Sequence, residues 1–600
     1  MNIRIQAYEK RKERYDHLRK KQIHIANMIA NTRAGIFLGG VGVSVYMYFT
    51  RNYILCAGIL FITFFLFTWL VIQHRRIQQK IQTTSNYSFI NEQSIKRLQG
   101  KWTEFVDSGE EFCDLKHPYS HDLDIFGASS LFQMINTAYT WMGRNQLKEF
   151  LVNFPDTAQQ IKKRQEAIKE LSSKIKWRQR LIVEAALLSP KHTDPQSLKQ
   201  WAEEKQPMYE NKSLIWMTFC LPFITIMFVM IYLITLKIPF YIPLILLLIQ
   251  YLILRYNKKE RINALSTVYQ YKESLRVYMH ILKHIDKVAF QSEFFQELKE
   301  KMQDTGKHTA YQQINRLVKI SDTISNRSNS LYFIFNILLL WDYHAMIRLE
   351  NWKKTSGHLV QDWLEVIGEM EALTSLSGLQ YDHSEWAVPT FDEGLPKLYA
   401  KEMGHPLLSE DKVCNDITIQ LPSGILLITG SNMSGKSTLL RTAGVNLVLA
   451  YTGAPVCAQS FECSIMSIYS CMRTRDNLDE GISSFYAELL RIRMVIEAIN
   501  KEDQVFFLLD EIFKGTNSAD RHTGARTLIK RLSRQGAIGL VSTHDLELGV
   551  LEEETNRRIR NFHFREYYED DRIAFDYKLR PGISTTRNAL YLMKMAGIDV

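Results

Sequence analysis

Three clusters of side chains in the last third of this 600-residue chain have the types and spacing needed to handle a triphosphate. The first is Gly430-Ser431-Asn432-Met433-Ser434-Gly435-Lys436-Ser437-Thr438, a G-x-x-x-x-G-K-[ST] pattern directly after the apolar run Ile425 to Ile428. Its two glycines let the backbone turn its N–H groups inward onto phosphate oxygens. The Lys436 ammonium then lies near the β- and γ-phosphates, and the Ser437 hydroxyl faces Mg²⁺. The second cluster is Phe506-Phe507-Leu508-Leu509-Asp510-Glu511, an apolar strand ending in two carboxylates. Asp510 suits Mg²⁺ ligation, direct or through water, and Glu511 suits polarising the water that attacks the γ-phosphate. The third is Val541-Ser542-Thr543-His544, where His544 can contact the γ-phosphate or orient that water. Taken singly, these could be a glycine turn, a surface strand end and a structural histidine. Together and in this order they point to ATP and Mg²⁺.

The elements around them change character near residue 386. Pro389, Pro396 and Pro406 and short β-rich runs replace long helical patterns there. Strand candidates at 417–421, 424–428, 505–509, 537–541 and 573–579 alternate with helical stretches, which predicts an α/β domain with a largely parallel sheet over 386–600. A helix is expected to begin at about Thr438. Upstream, 74–212 and 256–385 read as soluble helix. Ile161, Ala167, Ile168 and Leu171 form one apolar stripe, and Tyr278, Ile281, Leu282 and Ile285 another, both read as packing surface.

Two stretches interrupt this pattern. Ala34 to Thr50 and Asn52 to Gln73 are uncharged apolar runs, separated by Arg51; Ser213 to Leu236 and Ile238 to Leu254 form a second pair around Lys237. Each run is near the length needed to cross roughly 30 Å of hydrocarbon. The reading is two transmembrane helical hairpins, 34–73 and 213–255, with four spanning helices. Lysines and arginines flank the outer ends, so the soluble parts are expected on the cytoplasmic face. Residues 1–33 are a basic N-terminal segment, read either as a helix on anionic headgroups or as a solvated flank. The net charge of +10 fits nucleic acid, anionic lipid or such flanks. Seven cysteines without a C-x-x-C pair argue against a zinc site or disulfide framework and for a reducing compartment.

The three phosphate-handling clusters, with Gly515-Thr516 after the second, resemble the ATPase domain of the MutS mismatch-repair family. Tyr577 to Ile583 followed by Ala596-Gly597-Ile598 is similar to that family's C-terminal ATPase motif, and Asn477 to Phe485 with Glu488 to its signature segment. Asp122-Leu123-Asp124-Ile125-Phe126, Met142 to Leu147 and Arg164 to Ile168 look like the start of its helical lever domain. The resemblance covers roughly 120–210 and 256–600. It implies an ABC-like P-loop α/β ATPase preceded by an all-α lever domain. It also implies ATP bound between two copies of a homodimer, Ser483 reaching the partner's nucleotide, and Tyr577 stacked on adenine. Binding of mismatched or branched double-stranded DNA is the family expectation.

The departures are as informative. The mismatch-reading and connector domains are missing, and a hairpin stands in their place. Phe295-Gln296-Glu297 is an F-x-E triplet in a helical context, where chance explains it. Ser431 and Ser434 replace the usual Pro and Gly, and Lys412 stands where an aromatic often flanks the base. The expected protein is a membrane-anchored MutS-like ATPase, with the bacterial inner membrane as its site. The alternative is an ABC-like machine whose ATP-driven lever motion acts on the hairpins and not on DNA.

Overall fold

A computed structural model describes residues 2–187, 194–303, 308–324, 330–409, 411–431, 433–473, 484–501, 504–569 and 572–584. Its first feature is a hairpin of two long helices, Asn2–Phe49 and Tyr53–Leu98, joined through Arg51 in a left-handed conformation (φ 60°). No glycine or proline falls before Gly35, so the basic segment and the apolar run form one uninterrupted helix, and the expected 33/34 boundary lies inside it. The lower part of the pair is polar. Ser88 Oγ donates to Asp16 at 2.7 Å, Lys12 pairs with Glu92 at 3.1 Å, and Tyr15 stacks on Tyr87 with ring centroids 4.6 Å apart. In the apolar part the helices approach closely: a Cβ added at Gly40 would lie 2.2 Å from Thr63 Oγ1. The base of the hairpin is docked by polar contacts. Tyr8 Oη donates to buried Asp382 at 2.8 Å, the Arg4 guanidinium lies 4.2 Å from the Tyr381 ring centroid, and Arg97 donates to the Asn136 carbonyl at 3.0 Å.

The second apolar region differs from the expected hairpin. Lys212–Thr235 is a 24-residue helix, long and apolar enough to cross a membrane, as are the two helices of the first hairpin. The fourth run yields only Tyr241–Arg255, 15 residues. At 1.5 Å per residue that is about 22 Å, short of a bilayer's hydrocarbon, so the expected fourth spanning helix is corrected to a partial one. Pro239 precedes that helix and Pro243 occupies its first turn, where a missing N–H costs no hydrogen bond. A third apolar helix, Ser330–Leu339, was not anticipated in the stretch read as soluble; it packs against both others and exposes Phe333, Ile334 and Phe335.

The helical domain is built around Val360–Asp382, which packs against Trp141–Val152 and Ala158–Ser173. Both anticipated stripes are buried in it: Ile161, Ala167, Ile168 and Leu171, and Tyr278, Ile281, Leu282 and Ile285. Its core runs without a break into the α/β region.

Among its described residues that region carries ten strands: β1 (Thr390–Phe391), β2 (Lys397–Met403), β3 (Asn415–Gln420), β4 (Ile425–Thr429), β5 (Ser460–Cys463), β6 (Ser467–Cys471), β7 (Val505–Asp510), β8 (Ile538–Thr543), β9 (Ile559–Glu569) and β10 (Arg572–Pro581). Six form the sheet β10-β9-β4-β8-β7-β6, parallel except for the β9–β10 pair. Strands β4 and β8 are buried along their whole length, as parallel strands covered on both faces must be. A second, mostly antiparallel sheet, β1-β5-β2-β3, was not foreseen.

Candidate active site

The site forms where β4, β8 and β7 end at the same edge. Register pairs Thr429 with Thr543 and Asp510 with Ser542, so each strand delivers its last residues to one place. The loop after β4 turns at Gly430 (φ 151°), where an added Cβ would lie 2.7 Å from Ser434 Oγ. It closes at Gly435 (φ 98°), and the next helix, Lys436–Thr452, begins two residues earlier than expected. Ser434 is fully buried and replaces a backbone-only position with a side-chain tie: its Oγ donates to the Ser431 carbonyl at 2.8 Å. Ser437 and Thr438 occupy the first turn of that helix, where free N–H groups and the helix dipole favour an anion. Met433 is exposed beside them. Asn432 and Ser483 lie outside the described residues, as do most of the signature segment and Ala596-Gly597-Ile598.

Lys436 Nζ donates to the Gly430 and Ser431 carbonyls, both at 2.7 Å, and lies 3.5 Å from Glu511 Oε1. Burial pulls its pKa down, against the attraction of Glu511 and Asp510. Glu511 stands in a left-handed conformation (φ 47°), with its N–H donating to the Ser542 carbonyl at 3.0 Å. That unfavourable backbone state turns its carboxylate toward Lys436 and away from the strand axis. Burial acts to raise the Glu511 pKa. The hydrogen bond and charge of Lys514, with Lys436 and His544, outweigh it and hold the carboxyl below its ordinary range. His544 Nδ1 lies 3.7 Å from Glu511 Oε2, and Lys514 Nζ 3.1 Å from the same oxygen. Asp510 accepts a short hydrogen bond from Ser542 Oγ, which fixes its rotamer at the strand tip. Asp510 and Ser437 supply hard oxygen donors, the set that Mg²⁺ takes.

Tyr577 sits at a bulge in β10, in a left-handed conformation (φ 54°). Asn415 pins the bulge from both sides, donating to the Tyr577 carbonyl at 2.9 Å and accepting from the Leu579 N–H at 2.8 Å. The ring lies against Gly435 and helps bound a cavity of about 400 Å³ that also meets Lys412, His405 and Lys436. Lys412 itself lies 5.8 Å from the Trp386 ring centroid, so an aromatic is near this wall after all, one step removed.

A match to MutS domain V spans residues 426–599, the stretch holding every one of these side chains except Trp386, His405, Lys412 and Asn415. The chain thus carries a MutS-type domain V. It is 27% identical over 262 residues to the DNA mismatch repair protein MutS of Persephonella marina, covering 43% of this chain and 30% of that protein. Against the MutS of Aquifex pyrophilus it is 31% identical over 238 residues, 39% of this chain and 27% of that protein. The chain thus spans about three-tenths of the length of the curated relatives it matches.

Two sets of contacts around this site were not readable from the sequence. Lys514 joins Glu511 from the turn after β7, where a lone lysine reads as solvated surface. Asp122 reaches the ATPase region from some 350 residues away. Its carboxylate accepts from Ser470 Oγ (2.8 Å) and the Met472 N–H (3.0 Å), and its carbonyl accepts from Arg441 Nε at 3.2 Å. Asp124 takes both terminal nitrogens of Arg473, at 2.5 and 3.0 Å. Arg441 lies on the helix that follows the phosphate loop, so this acidic turn of the helical domain is tied to both the loop helix and the chain after β6.

If Tyr577 stacks on adenine, Tyr577→Ala should raise the KM for ATP by roughly 5- to 150-fold, the worth of one base–aromatic stack, while Tyr577→Phe retains it. Steady-state ATP hydrolysis by the three proteins measures this; an unchanged KM in the alanine variant removes the ring from the base site.

Proposed function

We propose that this protein is a membrane-anchored ATPase of MutS type that binds ATP·Mg²⁺ between two copies of itself. The observation that carries the reading is the convergence of Lys436, Glu511 and His544 within 3.5–3.7 Å at the edge where β4, β8 and β7 end. The amides from Gly430 to Thr438 and the Lys436 ammonium hold the phosphates. Glu511 takes a proton from the attacking water, and His544 orients that water or meets the γ-phosphate. Ser437 and Asp510 would hold Mg²⁺, which would supply charge neutralisation to the phosphates. Ser483 of a second copy completes the site, and Tyr577 stacks on the base. The three long apolar helices anchor the chain in the bacterial inner membrane, with the helical and ATPase domains in the cytoplasm. ATP hydrolysis by detergent-purified protein tests the core of this reading: activity should rise more steeply than linearly with protein concentration through the dimerisation range, and no hydrolysis at any concentration overturns it.

DNA is the proposed partner of the lever domain, because the relatives are DNA mismatch repair proteins. Binding would rest on phosphate contacts and weaken steeply with salt. Mismatched or branched duplex should be retained at low salt and released as salt rises; no retention at low salt rejects DNA as the partner. A second reading, an ABC-like machine that works on the bilayer, has its own support. The helices of the second apolar region are fastened directly to the helical domain: Tyr343 Oη donates to the Ile253 carbonyl at 2.8 Å, and the Phe219 and His344 rings meet with centroids 4.6 Å apart. Lever motion would reach those helices without a linker.

A further inference from the structure

A cleft opens where the second apolar region meets the helical domain. One wall is the Phe219, Phe223 and Ile226 face of Lys212–Thr235, the other is Leu339 and the first two turns of the helix Trp341–Ser356, and the enclosed volume is about 360 Å³. Pro222 sits at its centre. Having no N–H, it leaves the Thr218 carbonyl without its helical partner, and the His344 ring packs on the same wall, its centroid 4.6 Å from that of Phe219. The histidine thereby fixes the gap between the helices at its inner end.

The cleft's polar edge carries an unused charge. Arg348 is exposed, lies near enough to His344 to affect it electrostatically, and makes no hydrogen bond or ion pair among the described residues. The apolar wall is continuous with a surface that faces outward: Phe219 and Phe223 are 59% and 72% exposed on a helix of membrane-crossing length. Trp341 stands between the two, its ring bordering the cleft and its indole N–H donating to the Thr323 carbonyl at 3.3 Å, an amphipathic arrangement suited to the headgroup level.

We propose that this cleft binds an anionic phospholipid, with its phosphate on Arg348 and an acyl chain along Phe219, Phe223 and Ile226. A guanidinium pairs with phosphate oxygens in a planar fork, and a lipid with no cation of its own leaves that fork uncontested. The inference rests on the membrane reading above and names the lipid class that one anchor selects.

The test uses the full chain in phosphatidylcholine nanodiscs containing dibrominated acyl chains, carried on phosphatidylglycerol or on phosphatidylcholine at equal mole fraction. Trp341 quenching is taken as the difference between wild type and Trp341→Phe. Bromine on phosphatidylglycerol should report about fivefold enrichment at Trp341, the worth of one arginine near an anionic headgroup. Arg348→Gln should abolish the preference without changing the thermal unfolding midpoint, and Arg348→Lys should keep most of it. Equal quenching by the two lipids in wild type, or a preference that survives Arg348→Gln, overturns the site. Trp216, 70% exposed on the helix Lys212–Thr235, separates the two levels. If neither lipid quenches it, judged against Trp216→Phe, the anchoring itself is wrong; if both do, anchoring stands whatever Trp341 reports.

Discussion

Glu511→Gln should hold ATP normally while hydrolysing it about 10² to 10⁴ times more slowly, the usual worth of a positioned general base. Glutamine has the same shape, so the left-handed backbone at this position and the N–H bond to Ser542 survive the change. What is lost is the proton acceptor and the negative charge shared by Lys436, Lys514 and His544. With fewer carboxylate interactions to hold it, Lys436 is freer to follow the phosphates, so affinity should stay level or rise. Rapid-quench hydrolysis alongside equilibrium binding of labelled ATP separates the two effects, and a variant turning over at the wild-type rate would strip Glu511 of the base role. The same cations that hold its carboxyl below the ordinary range set the pH behaviour. The base stays ionised as pH falls, so protonation of Glu511 should not slow turnover until pH drops below about 4.3, the free glutamate value.

Lys436→Ala acts on binding. The ammonium is buried to 2% exposure and held by two carbonyls, so it is aimed before any ligand arrives. Removing it deletes a charge-assisted contact to phosphate and leaves Glu511 facing the nucleotide with one counter-charge fewer. ATP affinity should fall by roughly 10- to 100-fold, and the loss for AMP should be much smaller because the lysine serves the β- and γ-phosphates. Fluorescent-nucleotide titration decides it; equal losses for ATP and AMP would mean that the loop has collapsed and not that a contact has gone.

How much of this was legible depends on where the signal lies along the chain. Strands β4, β7 and β8 are buried on both faces, so each is an unbroken apolar run that ends in polar chemistry, and both strand and catalytic tip can be read together. Strand β9 was missed because Arg560, His563 and Arg565 interleave with its aromatics and hide the run. The partial helix Tyr241–Arg255 was overread, since the apolar run counts residues around Pro239 that stay out of the helix. Ser330–Leu339 was overlooked for the opposite reason: ten residues fall below any spanning length, and only their position against two other apolar helices gives them meaning. The ties from Asp122 and Asp124 to the loop helix were invisible as contacts, because a sequence does not say which of its distant carboxylates will meet. Their residues had been singled out only through family resemblance.

One length in the fold has a mechanical consequence. The helix Val360–Asp382, 23 residues or about 34 Å, has the first hairpin seated on its C-terminal end through Tyr8 and Asp382, while the apolar helix Ser330–Leu339 precedes its N-terminal end in the chain, with Trp341–Ser356 between them. The charged shaft of that hairpin, residues 74–98, is about 37 Å long by the same rise. Under the membrane reading proposed above, the matching lengths of rod and shaft would let two anchors rooted a whole helix apart meet one flat bilayer when the shaft runs alongside the rod. The engine, which begins where the rod stops, would then hang on the side remote from the lipid, and each stroke would have to travel the full span of that single girder to be felt there.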